Sequence, residues 1–250
     1  MNTTFGIGPL LIALGAQSFS IPDEFPLTLK LELTKQPTIG QLMLDSASLE
    51  AQTQLEAQKA QKRWSHAQEL LGDQYSKSIV SSGERIASVD EVLVRWTRKA
   101  LKGKWKNSSL TIAETILGES EKRGLDPFFI FSVIQNESSF NPEALGKVGE
   151  IGLMQLIPTT AEWVAKKFSL PWSGIQSLKD PLVNIQLGVA YISYLREYFD
   201  FQSDLYISAY NMGSTKVIRA VENQSPPRRY AARIMKQYFR YYSQLMKEFA

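Results

Sequence analysis

Residues 126–142 read DPFFIFSVIQNESSFNP, and this stretch decides the fold. Asp126 suits the cap of a helix, and Pro127 suits the first helical position, where its missing N–H costs nothing. The apolar run over residues 128–134 predicts that this helix is largely buried. The pair Asn141-Pro142 cannot continue a helix, so we expect it to end near residues 138–139.

Glu137 lies near the end of this apolar helix. Apolar neighbours desolvate a carboxylate, which disfavours its charged form and raises its pKa. A carboxylic acid with a raised pKa can donate a proton near neutral pH, as general-acid glycosidases require. Taken alone, the position equally suits a helix-end glutamate that faces water. The choice between a catalytic acid and a solvent-exposed glutamate therefore depends on other motifs in the sequence.

Helical patterns extend in both directions from this helix, and no strand pattern stands out after residue 109. We predict an all-α fold with further helices over about residues 39–74, 89–101, 109–123, 159–168, 181–199, 204–210, 214–223 and 228–249. A basic, glycine-containing linker, KGKWKNS at residues 102–108, marks the expected domain boundary. Residues 21–108 are then a helical N-terminal extension of unknown role, and residues 109–250 form the domain with the chemistry.

The composition excludes several classes of site. The chain has 250 residues, 44% hydrophobic and 21% charged, which is typical of a globular protein. Its net charge of +3 is too weak to indicate nucleic acid and suits an anionic polymer such as a cell wall. There is no cysteine, so disulfides, thiolate metal sites and an acylated anchor are excluded. His66, the single histidine, lies in a polar stretch and is predicted to be an ordinary surface residue; we expect no metal and no cofactor.

The N-terminus contains a short apolar run, FGIGPLLIALGA at residues 5–16. It is too short to span a bilayer, which takes about 20 apolar residues, so no stable transmembrane anchor is expected. Its length and the small residues that follow predict a signal peptide over residues 1–20 and export. No Lys or Arg precedes the run, so a buried or disordered N-terminal segment is the alternative.

Two further strings carry polar groups at helix and loop boundaries. Residues 149–155 read GEIGLMQ, in which Gly152 permits a close backbone approach and Gln155 offers donor and acceptor groups. Residues 209–211 read AYN at the end of a later helix, where Tyr210 can place a phenol beside a buried carboxyl. Either string alone is equally explained by core packing and a helix cap.

Together and in order, the strings ESSFNP at 137–142, GLMQ at 152–155 and AYN at 209–211 resemble the soluble lytic transglycosylase (SLT) domain family, which has a lysozyme-like fold. The strings GLDP at 124–127 and DPLVNI at 180–185 agree with it. The resemblance covers about residues 109–245, and residues 1–100 carry none.

The resemblance implies a peptidoglycan lytic transglycosylase, exported or periplasmic, with Glu137 as the sole catalytic acid and base. It implies cleavage of the β-1,4 bond between N-acetylmuramic acid and N-acetylglucosamine, with a 1,6-anhydro product and no consumption of water. The residues expected to contact substrate are Ser138, Met154, Gln155, Tyr191, Tyr210 and Asn211. Peptidoglycan strands are the expected partner, and residues 39–101 offer a surface for a cell-envelope protein.

Two positions depart from the family pattern. The family commonly has a serine where this chain has Gly146, with the hydroxyl near the catalytic glutamate. We expect Gly146→Ser to shift the pH optimum downward, unless the glycine is needed for a positive φ, in which case serine costs stability. The family also often has a Glu-Thr pair before the tyrosine of its last helix, where this chain reads PPRRY at residues 226–230.

Two alternatives remain open on the sequence alone. A goose-type muramidase hydrolyses the same bond, and an ordinary glycoside hydrolase needs a second carboxylate. The nearby candidates are Glu143, Glu150 and Glu162, which we expect on the solvated surface. Glu150 is the least certain because it lies in the motif loop, the loop around GEIGLMQ at residues 149–155. A non-catalytic module that binds or assembles cell wall is the other alternative.

Overall fold

The computed structural model describes residues 39–72 and 86–249, and within them the chain is helical. The elements in order are α1 (Ile39–Leu71), α2 (Ile86–Ala100), a 3₁₀ helix (Gly103–Ser108), α3 (Ser109–Lys122), α4 (Pro127–Ser138), α5 (Pro158–Phe168), a second 3₁₀ helix (Ile175–Lys179), α6 (Pro181–Tyr198), α7 (Ser203–Met212), α8 (Ser214–Glu222) and α9 (Arg229–Phe249). The β pairing in these ranges is limited to isolated bridges at Leu145–Ile151 and Ile151–Leu156. The all-α prediction is confirmed.

Some sequence predictions concern residues outside these described ranges. The signal peptide predicted over residues 1–20 and residues 21–38 of the predicted N-terminal extension lie outside the described residues. Among the described helices, none combines the length and the apolar character that crossing a membrane requires.

Helix α4 forms as its sequence predicts. The Asp126 carboxylate accepts hydrogen bonds from the backbone N–H of Phe128 at 2.7 Å and of Phe129 at 3.3 Å. Pro127 occupies the first turn, and the helix ends at Ser138, after which Ser139 adopts a left-handed φ of 52°. These local signals fix where the last turn of α4 lies, and therefore where Glu137 is held.

Two apolar clusters support this helix and the loop that follows it. The larger one surrounds α4 with side chains from the flanking helices, among them Leu93, Ile116, Ile192, Ile207 and Tyr238. The smaller one joins α5 to α6 and to the motif loop through Ile151, Leu156, Val164 and Leu187. Residues of these clusters are almost wholly inaccessible to solvent, so α4 and the loop that follows it rest on a packed base.

The chain divides into two compact units between Gln52 and Thr53. In the first unit the described residues are the first part of α1, where Leu44 and Leu49 are exposed. In the second unit, Val92 and Leu93 of α2 are buried in the same cluster as α4. The linker predicted at residues 102–108 contains a short 3₁₀ helix. That a domain boundary lies there, with all the chemical groups after it, stays a prediction.

The prediction that His66 is a surface residue is wrong: its side chain is wholly buried. Its Nδ1 accepts the backbone N–H of Asp126 at 2.8 Å, so its Nε2 carries the proton and donates to the Tyr206 hydroxyl at 3.1 Å. Burial is the main reason that the His66 pKa lies well below 6.5. The neighbours in sequence are polar, but His66 shares its helix face with Ala67 and Leu70, which turn inward to the core.

Candidate active site

Glu137 stands in the last turn of α4 with its side chain half-buried. Burial raises the pKa of this carboxyl above its ordinary value. Two hydrogen bonds oppose the shift, because the Tyr230 hydroxyl and the Asn136 amide, the latter at 3.2 Å, both donate to Oε1 and favour the ionised form. Burial outweighs them, so the structure provides a carboxylic acid that keeps its proton to higher pH than an exposed glutamate.

Two charged groups further tune the Glu137 pKa in opposite directions. The Arg233 guanidinium lowers it, and the Glu150 carboxylate raises it by like-charge repulsion. Arg233 also lies 5.6 Å from the centre of the Tyr230 ring, in cation–π geometry. Helix α9 therefore contributes both a donor and a cation to the surroundings of the carboxylate.

Asn184, on α6, ties down the motif loop. Its amide oxygen accepts the Met154 backbone N–H at 2.8 Å, and its amide nitrogen donates to the carbonyls of Ile151 and Leu178 at 2.9 and 3.1 Å. Gly152, at a φ of 82°, is where the loop passes this amide, and a Cβ there would lie 2.7 Å from the Leu178 carbonyl oxygen. The close approach predicted for Gly152 is confirmed.

The motif pair Met154 and Tyr210 is joined in the structure. The Tyr210 hydroxyl donates to the Met154 carbonyl oxygen at 2.7 Å, and burial together with the Glu137 charge raises the Tyr210 pKa well above 10. The Met154 side chain is wholly buried against Gly188, where a Cβ would come within 2.9 Å of the Met154 Cβ. The Met154 side chain therefore packs in the core, and its contact with a sugar stays a prediction.

The side chains of Gln155 and Glu150 both lie close to Gly146. The Gln155 amide donates to the carbonyls of Gly152 at 2.9 Å and Ala144 at 3.2 Å. A Cβ on Gly146 would collide with the Glu150 carboxylate and lie 2.9 Å from the Gln155 Oε1. Gly146 is not among the glycines with positive φ, so its small size matters for space and not for backbone conformation.

The three remaining predicted contacts differ in exposure. Ser138 is half-buried and its hydroxyl donates back to the Ile134 carbonyl at 3.3 Å. Tyr191 is half-buried, and its ring centre lies 5.6 Å from that of Tyr210. Asn211 is exposed at the end of α7. Each lies on or next to an element of the site, and its contact with a sugar stays a prediction.

Two residues at the site were not among the predicted contacts. Tyr230 touches the catalytic candidate directly, and Asn184 organises the loop. The sequence marks Tyr230 only by the missing Glu-Thr pair before it, and Asn184 only as part of DPLVNI. Within the described residues, no three His, Asp or Glu side chains converge as a metal site would require.

Comparison with known proteins places this site in a family. Residues 114–232 match the family described as "Transglycosylase SLT domain". The chain contains an SLT domain. The matched range holds Glu137, the motif loop and Tyr230, so the site lies inside the SLT domain, for which a lysozyme-like helical fold was expected.

Several named proteins resemble the SLT domain region. A membrane-bound lytic murein transglycosylase C from Haemophilus influenzae is 36% identical over 113 residues, which are 42% of this chain and 32% of that protein. The soluble lytic murein transglycosylase of Escherichia coli K12 is 36% identical over 90 residues, which are 36% of this chain and 14% of that protein. The chain therefore spans a third or less of the length of these curated relatives.

Solved structures of lytic transglycosylases are similar as well. An inactive mutant of the lytic transglycosylase Slt from Pseudomonas aeruginosa matches with 28% identity and a TM-score of 0.48, over 62% of this chain and 28% of that chain.

Proposed function

We propose that the SLT domain of this protein is a peptidoglycan lytic transglycosylase, with Glu137 as its sole acid and base. The observation that carries the proposal is a half-buried carboxyl with a raised pKa at the end of a buried helix, inside an SLT domain. The relatives at 36% identity are named lytic murein transglycosylases, which supports the same substrate class. The bond proposed for cleavage joins N-acetylmuramic acid to N-acetylglucosamine.

In the proposed reaction, Glu137 first donates its proton to the leaving glycosidic oxygen. Because Tyr230 and Asn136 both donate to Oε1, we assign the transferred proton to Oε2. The carboxylate that results takes the proton from the muramoyl 6-hydroxyl, which attacks the anomeric carbon and closes the 1,6-anhydro ring. The glycosidic C–O bond breaks, a new C–O bond forms within one sugar, and no water is consumed.

The substrate contacts belong to the same proposal. Gln155 and Tyr191, half-buried at the motif loop and on α6, offer an amide and an aromatic face for the sugar rings. Ser138, Tyr210 and Asn211 flank the carboxylate and the loop. The Met154 carbonyl supports Tyr210 by accepting the hydrogen bond from its hydroxyl.

Hydrolysis by a muramidase mechanism is the second candidate, and one observation favours it. Glu150 is only half-exposed, and its charge acts on the Glu137 pKa, so a second carboxylate does lie within electrostatic reach. It is held by the Val148 backbone N–H at 3.0 Å. A hydrolase adds one water to the product, so the mass of the released muropeptides separates the two reactions.

Replacing Glu137 by glutamine tests the proposal. The amide is nearly isosteric but cannot cycle a proton, so we expect turnover of purified peptidoglycan to fall by at least a thousandfold with an unchanged thermal melt. Mass spectrometry of the wild-type digest should show 1,6-anhydro products. Glu143→Gln is the matched control, because Glu143 is exposed and pairs with Lys104. Activity of Glu137→Gln within tenfold of wild type would contradict the assignment, and inactive wild type would favour a non-catalytic module.

The same proposal covers location and organisation. A murein substrate places the protein in the cell envelope, periplasmic or exported. Residues 109–250 are proposed to hold all the chemical groups, and residues 39–101 to offer a surface to a cell-envelope protein. The exposed Leu44 and Leu49 on α1 are compatible with such a contact.

A further inference from the structure

Two tyrosines of α9 donate hydrogen bonds to two carboxylates at opposite ends of α4. The Tyr230 hydroxyl donates to Oε1 of Glu137 in the last turn of α4, and the Tyr242 hydroxyl donates to Oδ2 of Asp126, immediately before the first turn. Asp126 and Glu137 are 11 positions apart, or about 17 Å on a helix, and Tyr230 and Tyr242 are 12 apart, or about 18 Å. The two helices therefore run antiparallel, and the two hydrogen bonds join them at matching distances.

The contact between Asp126 and Tyr242 is the more deeply buried of the two. The exposed fraction of Asp126 is 2% and that of Tyr242 is 5%, whereas Glu137 is half-buried. The Tyr242 ring packs on Phe128 and Tyr238, with ring centres 6.2 and 4.6 Å away. A hydrogen bond to a carboxylate is stronger in such surroundings than in water, and it depends closely on distance and angle. This contact is therefore suited to fix one helix against another.

Asp126 does more than begin α4. Its Oδ1 accepts the backbone N–H of both Phe128 and Phe129, which is what a helix cap requires. Its other oxygen, Oδ2, accepts the Tyr242 hydroxyl, and its backbone N–H is accepted by Nδ1 of His66 on α1. Three helices, α1, α4 and α9, are therefore joined by hydrogen bonds at this one residue.

Tyr230 depends on the rest of α9 for its position. It is the second residue of α9, in a first turn whose backbone N–H groups have no partner within the helix. The end of a helix is its least firmly held part, so the position of this turn follows from the packing of α9 on α4 and α7. A displacement of about 1 Å takes a hydroxyl out of hydrogen-bond range of a carboxylate.

We propose that Tyr242 and Asp126, anchored by His66, are positioning residues for the candidate acid: they fix α9 along α4 and so place the Tyr230 hydroxyl on the Glu137 carboxylate. Asp126 lies about 17 Å from Glu137 along the helix, so these residues act through Tyr230 and not on the substrate. The proposal deepens the proposed function, on which its rate measurement rests. It also gives part of α1, through His66, a role in the reaction.

Displacement of α9 changes the Glu137 pKa in a defined direction. The groups that act on Glu137 come from four parts of the fold: Tyr230 and Arg233 on α9, Asn136 on α4, Tyr210 on α7 and Glu150 in the motif loop. Both groups on α9 lower the Glu137 pKa, so it rises when α9 moves away. Because the protonated acid is the active form, the alkaline limb of kcat/KM then moves to higher pH.

Replacing Asp126 by serine or by asparagine separates positioning from capping. Serine, asparagine and aspartate cap helices about equally well, so α4 keeps its start in both variants. Serine has no second group for Tyr242, whereas the asparagine Nδ2 can donate to the Tyr242 hydroxyl oxygen. We expect Asp126→Ser to move the alkaline limb of kcat/KM up by roughly 0.3–1 pH unit, and Asp126→Asn to stay near wild type.

Tyr242→Phe applies the same test from the other helix. It removes the hydroxyl and keeps the ring packed, so its alkaline limb should move as in Asp126→Ser. In the double variant Tyr230→Phe/Tyr242→Phe, the shift should be smaller than the sum of the two single shifts, because Tyr242 acts through Tyr230. Full additivity would mean two independent contributions and would overturn the proposal.

Ser132→Ala is the matched control. Its buried hydroxyl donates to the Phe128 carbonyl at 2.7 Å within α4, so its loss lowers the melting temperature without involving α9. If Asp126→Ser and Tyr242→Phe lower the melting temperature but leave the alkaline limb in place, as this control should, the contact is structural only and the proposal fails. A limb shifted as far in Asp126→Asn as in Asp126→Ser would also reject it, because the missing contact would then not be the cause.

The titration of Glu137 itself separates this proposal from the proposed function. The carbon signal of its carboxyl group is identified by its absence in Glu137→Gln and followed by NMR against pH in wild type, Asp126→Ser and Asp126→Asn. A Glu137 pKa raised in Asp126→Ser alone supports the positioning role even if the protein turns over no glycan. Turnover of peptidoglycan together with one common Glu137 pKa in all three proteins would leave the proposed function standing and reject the positioning role.

Discussion

Tyr230 is the residue whose hydroxyl most directly controls the candidate acid. Its hydrogen bond favours the carboxylate form and so lowers the Glu137 pKa against the larger effect of burial. Tyr230→Phe removes that bond, and the Glu137 pKa should rise further. Because the protonated acid is the active form, the alkaline limb of the pH–rate profile should move to higher pH.

Tyr210→Phe is the control for this prediction. It removes a buried hydroxyl that bonds the Met154 carbonyl and not the carboxyl, so it should cost stability of about 1–3 kcal/mol and leave the alkaline limb in place. A Tyr230→Phe profile that coincides with wild type, or moves to lower pH, would contradict the role given to Tyr230.

Gly146 gives a second prediction at the scale of one residue. A serine there must displace the Glu150 carboxylate, which then loses the Val148 N–H. We expect Gly146→Ser to lose about 1 kcal/mol, or about 2–4 °C in melting temperature. Moving a like charge away also lowers the Glu137 pKa, so the alkaline limb should shift to lower pH.

The double variant Gly146→Ser/Glu150→Ala checks the cause of that loss. Removing the Glu150 side chain frees the space, so the melting temperature should recover while the alkaline limb stays shifted. If the melt and the pH profile of Gly146→Ser both match wild type, the contact between positions 146 and 150 has no energetic role.

At the scale of the element, local sequence signals were sufficient to predict where the helices begin and end. The caps and bounds of α4 follow from Asp126-Pro127 at one end and Asn141-Pro142 at the other, because a helix terminus is decided by residues within a few positions. Helices α5 to α9 begin and end within about two residues of their predicted limits for the same reason. The close backbone approach at Gly152 was also readable, since glycine has no Cβ.

Contacts between distant elements were not readable in this way. Tyr230 and Glu137 are 93 positions apart, and His66 and Tyr206 are 140 apart. Sequence periodicity does not show which helices pack against each other. The hydrogen bond from Tyr230 to Glu137 and the burial of His66 therefore appear only in the packed structure. The motif strings indicated the site because a family resemblance carries that long-range information.

At the scale of the whole molecule, the second unit packs as one body from Thr53 onward. The domain boundary predicted at residues 102–108 implies that a chain starting near Lys106 would fold and keep its chemistry. In the structure such a chain would lack Leu70 and Leu93, each buried in the core with a contribution of about 1.5–3 kcal/mol, and the His66 bond to Asp126. These losses approach the total stability of a typical domain, about 5–15 kcal/mol.

We therefore expect the chain starting at Lys106 to unfold at a much lower temperature or to lack a cooperative melt. A chain starting at Thr53 should melt close to full length and retain turnover. Circular dichroism melts of both, with turnover measured below each transition, test this. A Lys106 chain that melts within a few degrees of full length would show that α1 and α2 are dispensable to the fold.

The buried imidazole of His66 also makes a built-in spectroscopic probe. With one histidine in 250 residues, every imidazole proton signal in an NMR spectrum comes from a single ring. That ring is fixed in one tautomer with its pKa well below 6.5, so its signals in the folded protein should stay still between pH 6 and 8. An unfolded population would show a second set of imidazole signals that titrates. The ratio of the two sets therefore measures the folded fraction at each pH at which the pH–rate profile of Glu137 is recorded.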